Sequence, residues 1–208
     1  MNLEQWINST PVVRHPSEFD IISVMKLHEL IDLCKKYQII ILEGVRSCGK
    51  SFISDKLQNA LNIATYATWK SQGGLKKFYN NRKGAPDGAI RISPTLEVNQ
   101  ANVFVVEYLI QSNTPAIIDR GFFSSMHFQD VVPQDVWDIY VDMLHQIRSV
   151  VLFIEPIPII HNDVILKRGI SREAIDNEKR RYLEIFRRLP KSIDFHHIQL
   201  EYVMEFLS

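Results

Sequence analysis

The chain has 208 residues, 46% apolar and 23% charged, the balance of one globular domain with a sizeable core. Lysine plus arginine equals aspartate plus glutamate at 24 each, so the net charge is zero, which argues against a protein that coats nucleic acid or an anionic membrane through its overall field. Cys34 and Cys48 form no CxxC pair, so neither a disulfide framework nor a cysteine zinc site is supported; a reducing cytoplasm is the expected compartment. The first 20 residues show no basic-then-apolar signal pattern, and no apolar run approaches the roughly 20 residues that span a bilayer.

Residues 1–20 carry Pro11 and Pro16 and read as an irregular arm. Residues 21–36 read as an amphipathic helix with Ile22, Met25, Leu30 and Leu33 among its apolar positions, packed beside a sheet or, as the alternative, against a second copy in a homodimer. Ile39 to Leu42 is a β-branched run suited to a buried parallel strand. A helix follows over about Lys50 to Asn62, then a second strand over Ile63 to Trp69. Residues 71–93 are polar and basic, with Lys76, Lys77, Arg82, Lys83 and Arg91, and Ser93-Pro94-Thr95 opens a helix to about Ser112. Pro115 to Ile118 is a third strand ending at Asp119, and residues 133–148 are a helix. Val150 to Ile154 is a fourth strand, residues 171–189 a charged helix capped by Ser171, and Phe195 to Leu200 a weaker fifth strand. Strand and helix alternate, so the fold class is α/β, a five-stranded parallel sheet with helices on both faces and an N-terminal helical extension over 1–38.

The strongest chemical signal is Gly44-Val45-Arg46-Ser47-Cys48-Gly49-Lys50-Ser51, which fits G-x-x-x-x-G-K-[ST] between a strand and a helix. Its glycines let backbone N–H groups turn inward around phosphate oxygens, at the positive end of the following helix. Lys50 is expected to reach the β- and γ-phosphates of ATP and Ser51 to ligate Mg²⁺, with Arg46, Ser47, Cys48 and Gly49 completing the cradle. The Cys48 thiol reads as a small filler. Asp119 ends an apolar strand at the sheet's carboxyl side, where it would meet the Mg²⁺ shell or the acceptor, and Arg120 beside it would neutralise a phosphate. Glu155 ends the fourth strand in the same way and is the weaker candidate, because Pro156 and Pro158 just after it suggest a loop-shaping role. Arg168 and Arg172, just before the charged helix, suit a segment of about 156–172 closing over a transferring phosphoryl group.

The stretch Asp119-Arg120-Gly121-Phe122-Phe123-Ser124-Ser125-Met126-His127-Phe128-Gln129 resembles the Asp-Arg-Tyr-x-x-Ser-Ser-x-Ala-Tyr-Gln motif of thymidylate kinases and the related deoxynucleoside kinases. The order of elements over roughly residues 39–200 is similar too. The resemblance implies a P-loop kinase fold over 39–208, with ATP on the loop, Arg120 on the acceptor phosphate and Asp119 near the metal. It also implies Ser124, Ser125 and Gln129 lining the acceptor pocket, Arg168 and Arg172 as lid arginines, and 71–93 as the acceptor-side loop. The sequence departs from that family at three places. Arg46 stands where the family has an acid aimed at the acceptor sugar, Trp69 to Gly74 replaces its Arg-Glu-Pro-Gly-Gly, and Gly121 replaces its tyrosine. The function expected is transfer of the γ-phosphate of ATP to a nucleotide, with the triphosphate and this acceptor as partners, a homodimer possible, nucleic acid not favoured and no membrane. A hydroxyl acceptor on a nucleoside or nucleic acid, with Asp119 as base, is the alternative. A nucleotide-binding regulator with weak activity is a further one.

Overall fold

The computed structural model describes residues 1–15, 17–20, 22–66, 94–129, 134–157 and 165–201, and not the side chains of residues 20, 94–101, 128 and 129. The end of the expected second strand, the basic loop 71–93 and the 158–164 part of the expected closing segment lie outside the described residues.

In chain order the elements are α1 (Leu3–Ser9), α2 (Ser17–Asp20), β1 (Ser23–Met25), α3 (Leu27–Cys34), β2 (Ile39–Glu43), α4 (Lys50–Leu61), β3 (Ala64–Tyr66) and α5 (Pro94–Ser112). They continue with β4 (Ala116–Asp119), α6 (Phe122–Gln129), α7 (Gln134–His145), β5 (Ser149–Ile154), α8 (Arg172–Phe186) and β6 (Asp194–Leu200). The six strands form one parallel sheet in the order β1-β6-β5-β2-β4-β3. Every residue of β2, β4 and β5 is buried, which is why these strands read as unbroken apolar runs and not as alternating ones. β2 lies between β4 and β5, so the chain's path reverses on either side of it and a crevice opens at its carboxyl end.

The sheet has six strands where the sequence suggests five. The added strand is β1, taken from the segment read as a helix over 21–36. Ser23, Val24 and Met25 pair with Ile198, Gln199 and Leu200 at the sheet edge. The helix begins only afterwards, where the Glu29 carboxylate accepts the Lys26 N–H at 2.7 Å. A free strand edge offered by β6 outweighs local helical periodicity over these three residues.

Residues 1–20 are not an irregular arm. α1 opens on a reciprocal cap between Asn2 and Gln5 and buries Leu3 and Trp6 completely. The Trp6 ring meets Trp137 at 4.8 Å, and its indole N–H donates to Gln134 at 2.6 Å. Arg14 then donates to the Leu189 and Pro190 carbonyls at 2.9 and 2.8 Å, pinning the segment to the turn between α8 and β6. The expected helices at 50–62, 133–148 and 171–189 appear as α4, α7 and α8, with their described ends within three residues of the expected ones. Among the described residues no helix is long and apolar enough to cross a membrane.

Candidate phosphate-binding site

β2 ends at Glu43, and the next seven residues turn sharply into α4. Gly44 has φ +148°, and a Cβ there would lie 2.6 Å from the Ile154 carbonyl oxygen and 2.9 Å from the Cys48 sulfur. No larger residue fits this point, where the loop presses against β5. Ser47 and Gly49 have φ of +63° and +93°, left-handed backbone that lets the chain curl tightly before α4. Gly49 precedes the first turn of α4 and provides no side-chain cap, leaving that helix end to receive an anion.

Lys50 is 4% exposed. Its Nζ donates to the Gly44 carbonyl at 2.5 Å, the Val45 carbonyl at 2.8 Å and the Cys48 Sγ at 3.2 Å, so the ammonium sits within the curl of the loop. Burial pulls its pKa below the ordinary lysine value. Ser51 is exposed on the first turn of α4. The loop conformation, the enclosed ammonium and the exposed hydroxyl fit a phosphate chain with its metal. Among the described residues no group of three or more His, Cys, Asp or Glu side chains is arranged to hold a metal by itself.

Asp119 pairs in register with Leu42, the residue before Glu43, so β4 delivers its carboxylate to the strand ends that carry the loop. It is 4% exposed. Arg120 follows with φ +68°, a left-handed conformation rare outside glycine, and its N–H donates to the Leu42 carbonyl at 3.1 Å. Arg168 reaches the loop directly, its Nη1 donating to the Ser47 hydroxyl at 3.2 Å. Arg172 opens α8 and is exposed.

The structure places other expected residues differently. Arg46 does not stand alone as a cation: its N–H donates to Glu178 Oε1 at 3.0 Å and its Nε to Glu178 Oε2 at 2.9 Å. Ser124 and Ser125 are fully buried rather than facing an open pocket. The Ser124 hydroxyl donates to Glu43 at 2.5 Å and lies 2.8 Å from the Tyr182 hydroxyl, and Ser125 accepts from Asn102 at 3.2 Å. The side chain of Gln129 is outside the described residues. Glu155 ties the end of β5 to β6 and α8: it accepts from Lys179 at 2.7 Å and meets the His197 ring at 2.8 Å. Burial pushes its carboxyl up, but these two partners outweigh it and the net shift is downward.

Sequence reasoning missed Glu43, His127, Glu178 and Tyr182, which form the wall between the loop, α6 and α8. The signals were present. Glu43 is a charge directly after four buried apolar residues, and Glu178 falls on the buried stripe of α8 with Ile175, Tyr182 and Ile185. His127 stacks on Tyr182 at 4.7 Å, with Nε2 4.0 Å from Glu178 Oε1. Burial lowers its pKa to about 3, with Arg181, Arg46 and Arg120 adding to the shift, so the imidazole is neutral.

No protein-family model and no curated protein matches the chain. Its fold is similar to that of the YorR protein of Bacillus subtilis, solved with phosphorylated GDP, at TM-score 0.51 and 17% identity, covering 78% of this chain and 84% of that one. Shikimate kinase from Acinetobacter baumannii, solved with shikimate, aligns at TM-score 0.46 and 13% identity over 84% of this chain and 88% of its own. Deoxyadenosine kinase from M. mycoides, solved with dCMP and dCDP, aligns at TM-score 0.43 and 18% identity over 79% and 90%.

Proposed function

We propose that the chain is an ATP-dependent phosphotransferase that moves the γ-phosphoryl group onto a nucleotide-type acceptor. The observation that carries this is the register of β2 and β4. It sets the Asp119–Arg120 pair beside the strand whose next turn is the glycine loop enclosing Lys50. The fold shared with the YorR protein, solved with phosphorylated GDP, supports the same reading.

In this reading the Gly44–Ser51 loop binds the phosphate chain through its N–H groups. Lys50 exchanges its contacts with the Gly44 and Val45 carbonyls for β- and γ-phosphate oxygens. Mg²⁺, held by Ser51 and Asp119, would neutralise charge on those oxygens. Arg120, aimed by its left-handed backbone, neutralises the acceptor phosphate, and Arg168 and Arg172 approach from the α8 side. The bond from the γ-phosphorus to its bridging oxygen breaks, a bond to an acceptor oxygen forms, and ADP leaves. An acceptor phosphate is already anionic and needs no general base. Residues 39–208 would form the catalytic unit, with β1 of the N-terminal segment completing its sheet.

A second reading, transfer to a hydroxyl with Asp119 as base, gains support from one observation. Arg46 is committed to Glu178, which removes one cation from an acceptor phosphate. A screen with γ-labelled ATP across nucleotides, nucleosides and oligonucleotides decides between the two. Label on a nucleoside monophosphate supports the first reading; label only on hydroxyl acceptors supports the second; no transfer to any acceptor removes both.

A further inference from the structure

Glu43 is buried completely, one residue before the first glycine of the loop. Its Oε1 accepts the Gly121 N–H at 3.0 Å and the Ser124 N–H at 3.3 Å, and its Oε2 accepts the Ser124 hydroxyl at 2.5 Å. Three donors from the start of α6 therefore converge on one carboxylate carried by β2. Gly121 and Ser124 flank the turn that begins with Arg120 in its left-handed conformation. The contacts continue from Ser124 to the Tyr182 hydroxyl and from the Tyr182 ring to His127, whose neutral Nε2 stands 4.0 Å from the Glu178 carboxylate that holds Arg46. This row of groups runs from Glu43, the residue before the loop, to Arg46 within it.

We infer that Glu43 is the positioning residue for Arg120: by holding the N–H groups of Gly121 and Ser124 it fixes the left-handed turn, and with it the direction of the Arg120 guanidinium relative to the loop. The carboxylate suits this task because it accepts three hydrogen bonds without donating, which no apolar or hydroxyl side chain can do. A carboxylate facing the N–H groups at the start of α6 is also favoured by the helix's positive end. Burial pushes the Glu43 carboxyl up, while the Ser124 hydroxyl, the charges of Arg120 and Lys50 and the Gly121 N–H oppose that rise. This role rests on the phosphotransferase reading for its kinetic consequence but not for its structural one.

The test compares Glu43→Gln with wild type in the full chain. Glutamine keeps the size and one acceptor oxygen but loses the charge that faces Arg120. Nitrogen relaxation of the Arg120 Nε–H needs no activity: it should be rigid in wild type and mobile in Glu43→Gln, with ADP affinity unchanged. In transfer assays kcat should fall about 10- to 100-fold, with KM for ATP within about twofold. In an Arg120→Ala background the same substitution should change kcat less than about twofold, because the residue it positions is gone. If Glu43→Gln does not fold, Ser124→Ala, which removes the hydroxyl contact, takes its place in the same assays. Unchanged Arg120 relaxation overturns the inference, as does an equal kcat loss with and without Arg120. Absence of any transfer by wild type refutes the proposed activity alone, and the relaxation measurement then decides the role of Glu43.

Discussion

Arg46 and Glu178 meet at two points, backbone N–H to Oε1 at 3.0 Å and side-chain Nε to Oε2 at 2.9 Å, although 132 residues separate them. The contact ties the Gly44–Ser51 loop to α8. Glu178 is 2% exposed in its side chain and Arg46 is 46% exposed, so the pair has one buried end and one wet end. Its value lies in satisfying the buried carboxylate more than in the Coulomb attraction of the exposed arginine.

That asymmetry makes Arg46→Asp worse than Arg46→Ala. The aspartate sets a second carboxylate beside a buried one, while alanine leaves the backbone N–H contact intact. The difference should be about 1 kcal/mol, equivalent to about 2–4 °C in melting temperature for a chain of this size. In a Glu178→Gln background it should vanish. Thermal melts of the four proteins check this, and equal melting temperatures for the two single variants would argue against the pair as described.

His127 gives the protein an acid-sensitive element. Its pKa is lowered from 6.5 to about 3. Above pH 6.5 the imidazole is neutral in both states and contributes nothing. As pH falls below 6.5 the unfolded chain binds a proton that the folded one refuses until about pH 3, so this residue favours unfolding by about 1.4 kcal/mol per pH unit across that window. The His127→Asn variant should show a shallower loss of denaturation free energy between pH 6 and pH 4, to be measured by urea melts. Parallel slopes for the two proteins would mean that His127 is protonated in the fold.

Trp6 tests whether the N-terminal helix is integral. It is fully buried, faces Trp137 edge-on and donates to Gln134. Trp6→Ala should cost about 3–5 kcal/mol. The melting temperature should drop by about 6–20 °C, taking about 2–4 °C for each kcal/mol. A drop under about 2 °C would mean that α1 does not dock as the structure shows.

The central strands and the loop were legible because single local rules govern them. Ile39 to Leu42 and Ala116 to Ile118 are buried on both faces and cannot be anything but apolar. The spacing of Gly44, Gly49 and Lys50 between a strand and a helix fits one local motif, G-x-x-x-x-G-K-[ST]. The N-terminal segment was not legible, because Ser23 to Met25 become a strand only where β6 offers an edge. The partner of Arg46 was hidden for the same reason: Glu178 is remote in sequence, and only the packing of α8 on α6 brings it to the loop. Ser124 and Ser125 carried the sequence pattern of a resembling acceptor pocket. Their hydroxyls turn inward because Glu43 and Asn102 supply buried partners.

Lys50 gives the most direct test. Its ammonium is enclosed by the Gly44 and Val45 carbonyls and the Cys48 sulfur, and in the proposed reaction it exchanges these contacts for the β- and γ-phosphates. The measurement is the rate of label transfer from γ-labelled ATP to the best acceptor, for wild type and for Lys50→Ala, with circular dichroism confirming that both are folded. The variant should transfer about 10²–10³ times more slowly, the loss typical of removing one well-placed donor to developing charge. A folded Lys50→Ala protein with wild-type turnover would contradict the assignment of this loop as the phosphoryl-transfer site.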